Sequence, residues 1–294
     1  MSSSIRTEVR RGDALYPAQL LRLERPPEVL YCIGDPSLLV PGLAVVGSRR
    51  QTPYGSQCCA LLAGWASRHG VAIISGAAVG CDQSAHRAAL ESGGRTVAVL
   101  GCGADVDYPP SARGLLEDLR QDHLVVSELP WGTPPARWTF PERNRIIAGL
   151  AAALLVVEAS VPSGTFSTAD HALQAGTEVL AVPGSILSPQ SRGTNQLIRD
   201  GASVIADLDD LAVCLARCGL LSTAEQDVQT HARDPSTDAE RALAAGPMLL
   251  EDLAAHLGVP VQEAAHAVAR LELEGAVRRG MDGRYAFVAG LGGR

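Results

Sequence analysis

The 294-residue sequence predicts an α/β fold, a doubly wound and mostly parallel sheet, with a small domain of three helices and a hairpin behind it. Three observations carry this. Short apolar runs at 43–46, 71–74, 97–100, 124–126, 154–157 and 179–182 alternate with helix-compatible stretches, the pattern of strands buried on both faces. Hydrophobic residues make up 46% of the chain and aromatics only 4%, so the core is built from Ala, Val, Leu and Ile, as in helix-covered parallel sheets. The length suits one large domain and a small accessory one, because single cores stop growing at roughly 250–300 residues.

In chain order, residues 1–40 read as a polar tail, a short helix and an extended arm through Pro26-Pro27-Glu28-Val29-Leu30-Tyr31. The main domain is expected over 41–221. Its helices are predicted at 54–68, 82–91, 111–120, 143–149 and 167–174, with a closing unit at 194–200, 204–205 and 208–218. Residues 222–237 are polar, lack apolar periodicity and contain Pro235, which marks a linker. The last domain, 238–294, carries helical patterns at 239–243, 249–257 and 262–274. A hairpin of 275–279 and 284–287 around Asp282-Gly283 follows, completing a winged helix-turn-helix.

Composition narrows the chemistry. All 25 basic residues are arginine, so a Schiff-base lysine and the lysine of a phosphate-binding P-loop are excluded. The net charge of −7 argues against a uniformly basic nucleic-acid binder; an anion site has to come from local arginines and backbone amides. Seven cysteines without a C-x-x-C pair indicate neither a disulfide framework nor a zinc site, and no metal or cofactor is expected. The apolar stretches are shorter than the roughly 20 residues that span a bilayer, and no signal sequence opens the chain. A cytoplasmic protein without a membrane partner is expected.

Glycines and small hydroxyl residues fall at the strand ends: Gly47-Ser48-Arg49, Ser75-Gly76-Ala77-Ala78-Val79-Gly80, Gly101-Cys102-Gly103, Ser163-Gly164-Thr165 and Pro183-Gly184-Ser185. In a parallel sheet these loops share one edge, where helix N-termini offer free N–H groups to a phosphate. Glycine turns alone would also produce any one of them. Between the fourth and fifth strands, Arg137-Trp138-Thr139-Phe140-Pro141-Glu142-Arg143-Asn144-Arg145 holds three arginines, two aromatics and an amide in nine residues. Guanidinium forks fit phosphate oxygens and an aromatic face stacks a base, the elements of single-strand binding.

This ordered series closely resembles the DprA/Smf family. The resemblance rests on the loops above and on Asp82, Ala85-His86, Tyr108-Pro109 and Ser127-Glu128. It extends through Phe140-Pro141-Glu142-Arg143-Asn144-Arg145-Ile146-Ile147-Ala148-Gly149-Leu150, Glu158-Ala159 and Gly193-Thr194-Asn195. It implies an extended Rossmann-like domain that binds and protects single-stranded DNA and helps load the RecA recombinase in natural transformation, without catalysis. Carried over motif by motif, Arg49, Arg137 and Phe140 line the DNA pocket, with Arg143, Asn144 and Arg145 forming or bracing it. Gly47, Ser48, Ser75, Gly76, Ser163, Gly164 and Thr165 supply the loops. Arg143 or Arg145 could instead support the fold by pairing with a carboxylate such as Glu158. Only about 40 residues precede the first predicted strand, fewer than the helical module many members carry, so that module is expected to be absent or supplied by another chain.

The resemblance also implies a homodimer formed near the last strands and helix of the main domain. There Leu208, Leu211 and Leu215 fall at helical spacing, and Leu220 and Leu221 leave apolar surface to cover. The winged helix, with six Arg against eight Asp and Glu from residue 236 onward, is a poor match to duplex phosphate; a protein-contact role is expected. Two other classes compete. One is a nucleotide-processing hydrolase on a related fold, with Asp82, Glu128, Glu142, Glu158 and Asp170 as candidate acids. The other is a winged-helix transcription regulator sensing a small ligand. His86 and His171 lack a nucleophile or metal constellation and read as packing residues.

Overall fold

The computed structural model describes residues 5–221, 237–273, 276–279 and 283–287. It contains two compact units, Met1–Leu221 and Ser222–Arg294.

In the first unit nine strands make one sheet. They are β1 (Arg6–Arg10), β2 (Val29–Gly34), β3 (Gly42–Val46), β4 (Ile73–Ser75), β5 (Thr96–Val99), β6 (Leu124–Ser127), β7 (Ala151–Val156), β8 (Glu178–Ala181) and β9 (Ser203–Val204). The order is β1-β2-β6-β5-β4-β3-β7-β8-β9. From β6 through β9 all pairs are parallel, while β1–β2 and β2–β6 are antiparallel. The expected extended arm is therefore β2, while the expected polar tail carries β1, and the two strands lengthen the sheet. β1 hides this in the sequence because only Val9 of its five residues is buried.

The helices are α1 (Pro53–Arg68), α2 (Cys81–Glu91), α3 (Arg113–Asp122), α4 (Thr139–Leu150), α5 (Thr165–Gln174), α6 (Arg192–Arg199) and α7 (Leu208–Arg217). They cover both faces of the sheet, and the two-residue period of a strand sorts the core accordingly. Leu43 and Val45 of β3 join Ala153 and Leu155 of β7 in a cluster with Cys59 and Leu62 of α1 and Leu211 and Leu215 of α7. Ala44, Val46, Leu154 and Val156 point the other way, to Ile146, Ile147 and Leu150 of α4 and Ala169 and Ala172 of α5. α3 packs Leu116 and Leu119 against Ala98 and Val125 at the β5–β6 end. α4 begins four residues earlier than the predicted 143–149, because Pro141 sits in its first turn, where no intrahelical N–H is required of it.

The chain runs outward from β3 through β4 and β5 to β6, then returns to β7 on the other side of β3. β3 and β7 are thus the topological switch point, the place where open α/β sheets leave a crevice at their carboxyl edge. All seven cysteines are free thiols.

In the second unit Thr237 caps α8 (Asp238–Ala245) through a capping box with Glu240, and α9 (Leu250–Leu257) stops at Gly258 in the left-handed region. α10 (Val261–Leu273) follows, and β10 (Val277–Arg279) pairs antiparallel with β11 (Tyr285–Phe287). A bridge from Met248 to Tyr285 adds a third segment, and Leu243, Leu253, Val268, Leu271 and Val277 form the core. Three helices and a winged hairpin match the expectation. Of the expected linker 222–237, residues 222–236 lie outside the described residues, as does Asp282 of the hairpin turn, and Thr237 is the cap of α8. Among the described residues no helix is long and apolar enough to cross a membrane.

Candidate functional site

At the β3–β7 switch point a cleft of about 860 Å³ opens. The loop after β3 supplies Gly47, Ser48, Arg49 and Arg50, and the loop after β7 supplies Ser160, Ser163, Gly164 and Thr165. The segment leading into α4 adds Arg137 and the start of α4 adds Phe140 and Asn144, with Tyr108 also in the lining. Of the residues predicted for the site, Gly47, Ser48, Arg49, Arg137, Phe140, Arg143, Asn144, Ser163, Gly164 and Thr165 come together here. Arg49, Arg50 and Arg137 are exposed, and none of them is paired with a carboxylate among the described residues.

The loops are held from below. Asp82, at the start of α2, accepts from the N–H groups of Gly76 (3.2 Å) and Ala78 (3.3 Å). Arg143 is buried above it and donates from Nη1 to the carbonyls of Gly76 (2.8 Å) and Val99. Burial raises the Asp82 pKa, partly countered by the Arg143 guanidinium, and burial lowers that of Arg143 to about 10. Gly76 is required here because a Cβ would lie 2.4 Å from the Arg143 guanidinium. Gly80, at φ 93°, would drive a Cβ to 2.2 Å from Ser48 O. Ala77 between them is held at φ 56°, a conformation that costs a residue with a Cβ about 1 kcal/mol or more.

On the other side Glu158, buried at the end of β7, accepts from Thr52 N (2.8 Å) and Thr52 Oγ1 (2.6 Å) and so fixes the N-terminus of α1. Ser48 Oγ donates to Gln190 Oε1 at 3.0 Å, tying the β3 loop to the segment before α6. Above this frame the Phe140 and Tyr108 rings meet at 5.4 Å with a 32° tilt, and the Arg49 guanidinium lies 5.5 Å over Phe140. Unpaired guanidinium groups and a two-ring face thus border one concave wall, which suits phosphates and a stacked base together.

Several expectations need correction. Arg145 is outside the cleft; it pairs with Glu128 and approaches Glu142 at 3.8 Å, so it braces α4 against β6. The expected partner Glu158 binds Thr52 instead. Ser75 is buried and donates to Val45 O at 2.6 Å, locking β4 to β3 without reaching the cleft. Leu211, Leu215 and Leu221 are buried in the unit's own core, with Leu208 and Leu220 partly buried against it. The apolar surface expected at Leu220 and Leu221 is therefore closed within this unit. Sequence reasoning passed over Arg50, Tyr108 and Gln190 as site residues. The doubled arginine after Gly47-Ser48 was a usable signal for the first, but nothing local marks Gln190.

Among known proteins, the DNA recombination-mediator protein A family matches residues 8–216, and the DprA winged helix domain matches 230–283. Protein Smf of Synechocystis is 38% identical over 219 residues, 73% of this chain and 55% of Smf, so the match spans little more than half of that relative. DNA processing protein DprA of Streptococcus pneumoniae is 40% identical over 200 residues, 68% of this chain and 71% of DprA. Its X-ray structure superposes with a TM-score of 0.68 at 38% identity, covering 71% of this chain and 74% of that one. A Helicobacter pylori DNA processing protein A structure, reported for its unique single-stranded DNA binding mode, superposes with a TM-score of 0.67 at 29% identity, covering 74% and 98%. With both units matched in order, the chain belongs to the DNA recombination-mediator protein A family, the DprA/Smf proteins.

Proposed function

We propose that this protein binds single-stranded DNA in the cleft at the β3–β7 switch point and acts in DNA processing and recombination. The observation that carries the reading is the cleft itself, where unpaired Arg49, Arg50 and Arg137 stand beside the Phe140–Tyr108 rings. Arginines neutralise phosphates, and rings stack bases only where a single strand leaves the base faces open. The Helicobacter relative, whose fold this chain shares, is described as a single-strand binder.

The finer reading is that the bound strand is protected and handed to RecA in the cytoplasm during natural transformation. The family resemblance supports it. A homodimer belongs to the same reading, and since Leu211, Leu215 and Leu221 are spent on the core, its surface would use Val204 of β9 and Val213 of α7, both exposed. Two pockets on one particle would hold a long strand more tightly than a short one. Light scattering on the full chain and on residues 1–221 tests this; monomers in both at tens of micromolar would refute it.

A binding role without turnover is supported by where the candidate acids sit. Asp82 and Glu158 are engaged beneath the loops, Glu128 pairs with Arg145 outside the cleft, Glu142 pairs with Arg25 at 2.9 Å, and Asp170 is exposed on α5. His86 is buried, bonded through Nδ1 to Thr96 Oγ1 at 2.7 Å, and burial brings its pKa down to about 3, so it stays neutral.

Titration with fluorescent single and double strands of equal length tests the function. Single strands should bind more tightly, with log K falling against log salt at a slope of about −2 to −3 for three or four phosphate contacts. Equal affinity for duplex, or no salt dependence, would overturn the reading.

A further inference from the structure

The loop between β8 and α6 carries at its tip the two most exposed large hydrophobic side chains among the described residues, Ile186 at 84% and Leu187 at 87%. Leaving both in water forgoes the stabilisation that burial would bring, and a slack loop would fold them back onto the surface. This loop is not slack. Tyr54 Oη donates to Pro183 O at 2.7 Å, and Gly184 exchanges two hydrogen bonds with the Asn195 amide, at 3.1 and 2.9 Å. A Cβ on Gly184 would lie 2.2 Å from Ser191 Oγ, so the two ends of the loop touch. Within it Ser185 Oγ accepts from Leu187 N at 3.2 Å, and Ser185 O accepts from Ser188 N at 3.0 Å. An apolar tip held out by such a frame marks a contact surface.

Its neighbours are those of the cleft. Gln190, at the foot of the loop, lines the cleft and accepts from Ser48 Oγ, and its carbonyl accepts from Ala159 N at 2.8 Å. That last bond sets the loop beside the one after β7, where Ser160 and Ser163 line the cleft and Val161 between them is exposed. The ring face is elsewhere, since Tyr108 follows β5 while this loop follows β8, with β4, β3 and β7 between them in the sheet. The chain holds 32 Asp and Glu, yet residues 159–169 and 183–199 contain none. Arg192, exposed at the start of α6, has no carboxylate partner among the described residues. A phosphate backbone therefore runs past this tip without meeting a like charge. Resting on the reading of the cleft as a single-strand site, we propose that Ile186 and Leu187 form a further base contact outside it. The strand leaves the cleft past Gln190, and the face of a flanking base packs on the two side chains. Aliphatic side chains act as wedges against unstacked bases, and in a single strand no pairing has to be broken to admit them.

The probes share one length of about 12 nucleotides, within the range of single-strand sites, so that phosphate charge stays constant. One carries thymine throughout, two have abasic deoxyribose in either the 5′ or the 3′ flank, and the last has both flanks abasic. Restoring bases on one flank should tighten binding to the full chain about tenfold, the worth of covering much of two aliphatic side chains. Ile186→Ser combined with Leu187→Ser should lose that gain. The same variant should keep the parent's affinity and salt slope for the probe with both flanks abasic, which also shows it to be folded. Leu187→Trp presents a larger face and should enlarge the gain, with its added fluorescence quenched by the base-bearing flank and not by the abasic one. A flank gain that survives the serine substitutions would overturn the proposal. So would anionic phospholipid vesicles that bind the parent but not the serine variant while the flank gain stays intact, because the tip would then belong to a lipid surface. Probes that bind in a salt-dependent way with no flank gain would sink this inference alone; failure of every probe to bind would sink the underlying function with it.

Discussion

Replacing Arg143 by Met should cost far more stability than its position on a cleft wall suggests. The guanidinium is buried, bonds the carbonyls of Gly76 and Val99, and faces the buried carboxylate of Asp82. Met fills much of the volume but leaves two carbonyls without that donor, at about 1–3 kcal/mol each. It also leaves Asp82 without its cation, a loss of about 3–5 kcal/mol for a broken buried pair. These costs overlap, so about 3–5 kcal/mol in all is expected, which for a unit of this size lowers Tm by about 6–20 °C. The pH dependence gives a sharper signature. Burial raises the Asp82 pKa in the folded protein above its unfolded value. Its ionisation therefore opposes folding, absent below the unfolded pKa and growing as pH rises to the folded one. Without Arg143 that folded pKa climbs further, so the gap between parent and variant should widen with pH and be smallest in acid. Adding Asp82→Asn to Arg143→Met should recover part of the loss and remove the pH dependence of the gap. Urea unfolding of parent, single and double variants at about pH 5 and about pH 8 measures this. A gap below about 1 kcal/mol that does not change with pH would refute the brace.

Other variants separate binding from support. Phe140→Ala should weaken single-strand binding by about 1–3 kcal/mol through lost stacking, and Arg49→Ala should weaken it while making the salt slope shallower by about 0.7. Arg145→Met should cost about 1–3 kcal/mol of stability through the lost Glu128 pair but leave the salt slope at the parent value, which anisotropy titrations will show. For His86 the folded pKa of about 3 lies below the unfolded value of 6.5, so its contribution is intact above about 6.5 and is lost as pH falls toward 3. His86→Asn should lack that acid loss in urea unfolding across the same window.

The central strands were legible because each is apolar on both faces, as in Leu43-Ala44-Val45-Val46, and only a sheet covered by helices on both sides accommodates that. β1 was not, since an edge strand with one buried side chain looks like any polar segment, and it joins the sheet only through β2. The strand-end glycines pointed to one edge, but which loops face each other depends on the strand order, and that is set by packing rather than by any local signal. Arg143 and Arg145 show the same limit. Two residues apart on a helix, they diverge by roughly 200°. One turns into the loops under the cleft and the other to Glu128 just beyond β6, and the motif that contains both does not say which. The leucines before the linker were read as spare apolar surface because the sequence does not reveal how much of the sheet α7 covers.

Photo-crosslinking places the strand most directly. A single-stranded oligonucleotide substituted with 5-bromodeoxyuridine, irradiated with the full chain and digested, should leave adducts on the peptides carrying Tyr108 and Phe140. Excess unlabelled single strand should suppress them, and duplex should not. Adducts confined to the winged-helix unit, or to the α7–β9 edge with none in the cleft, would contradict the account.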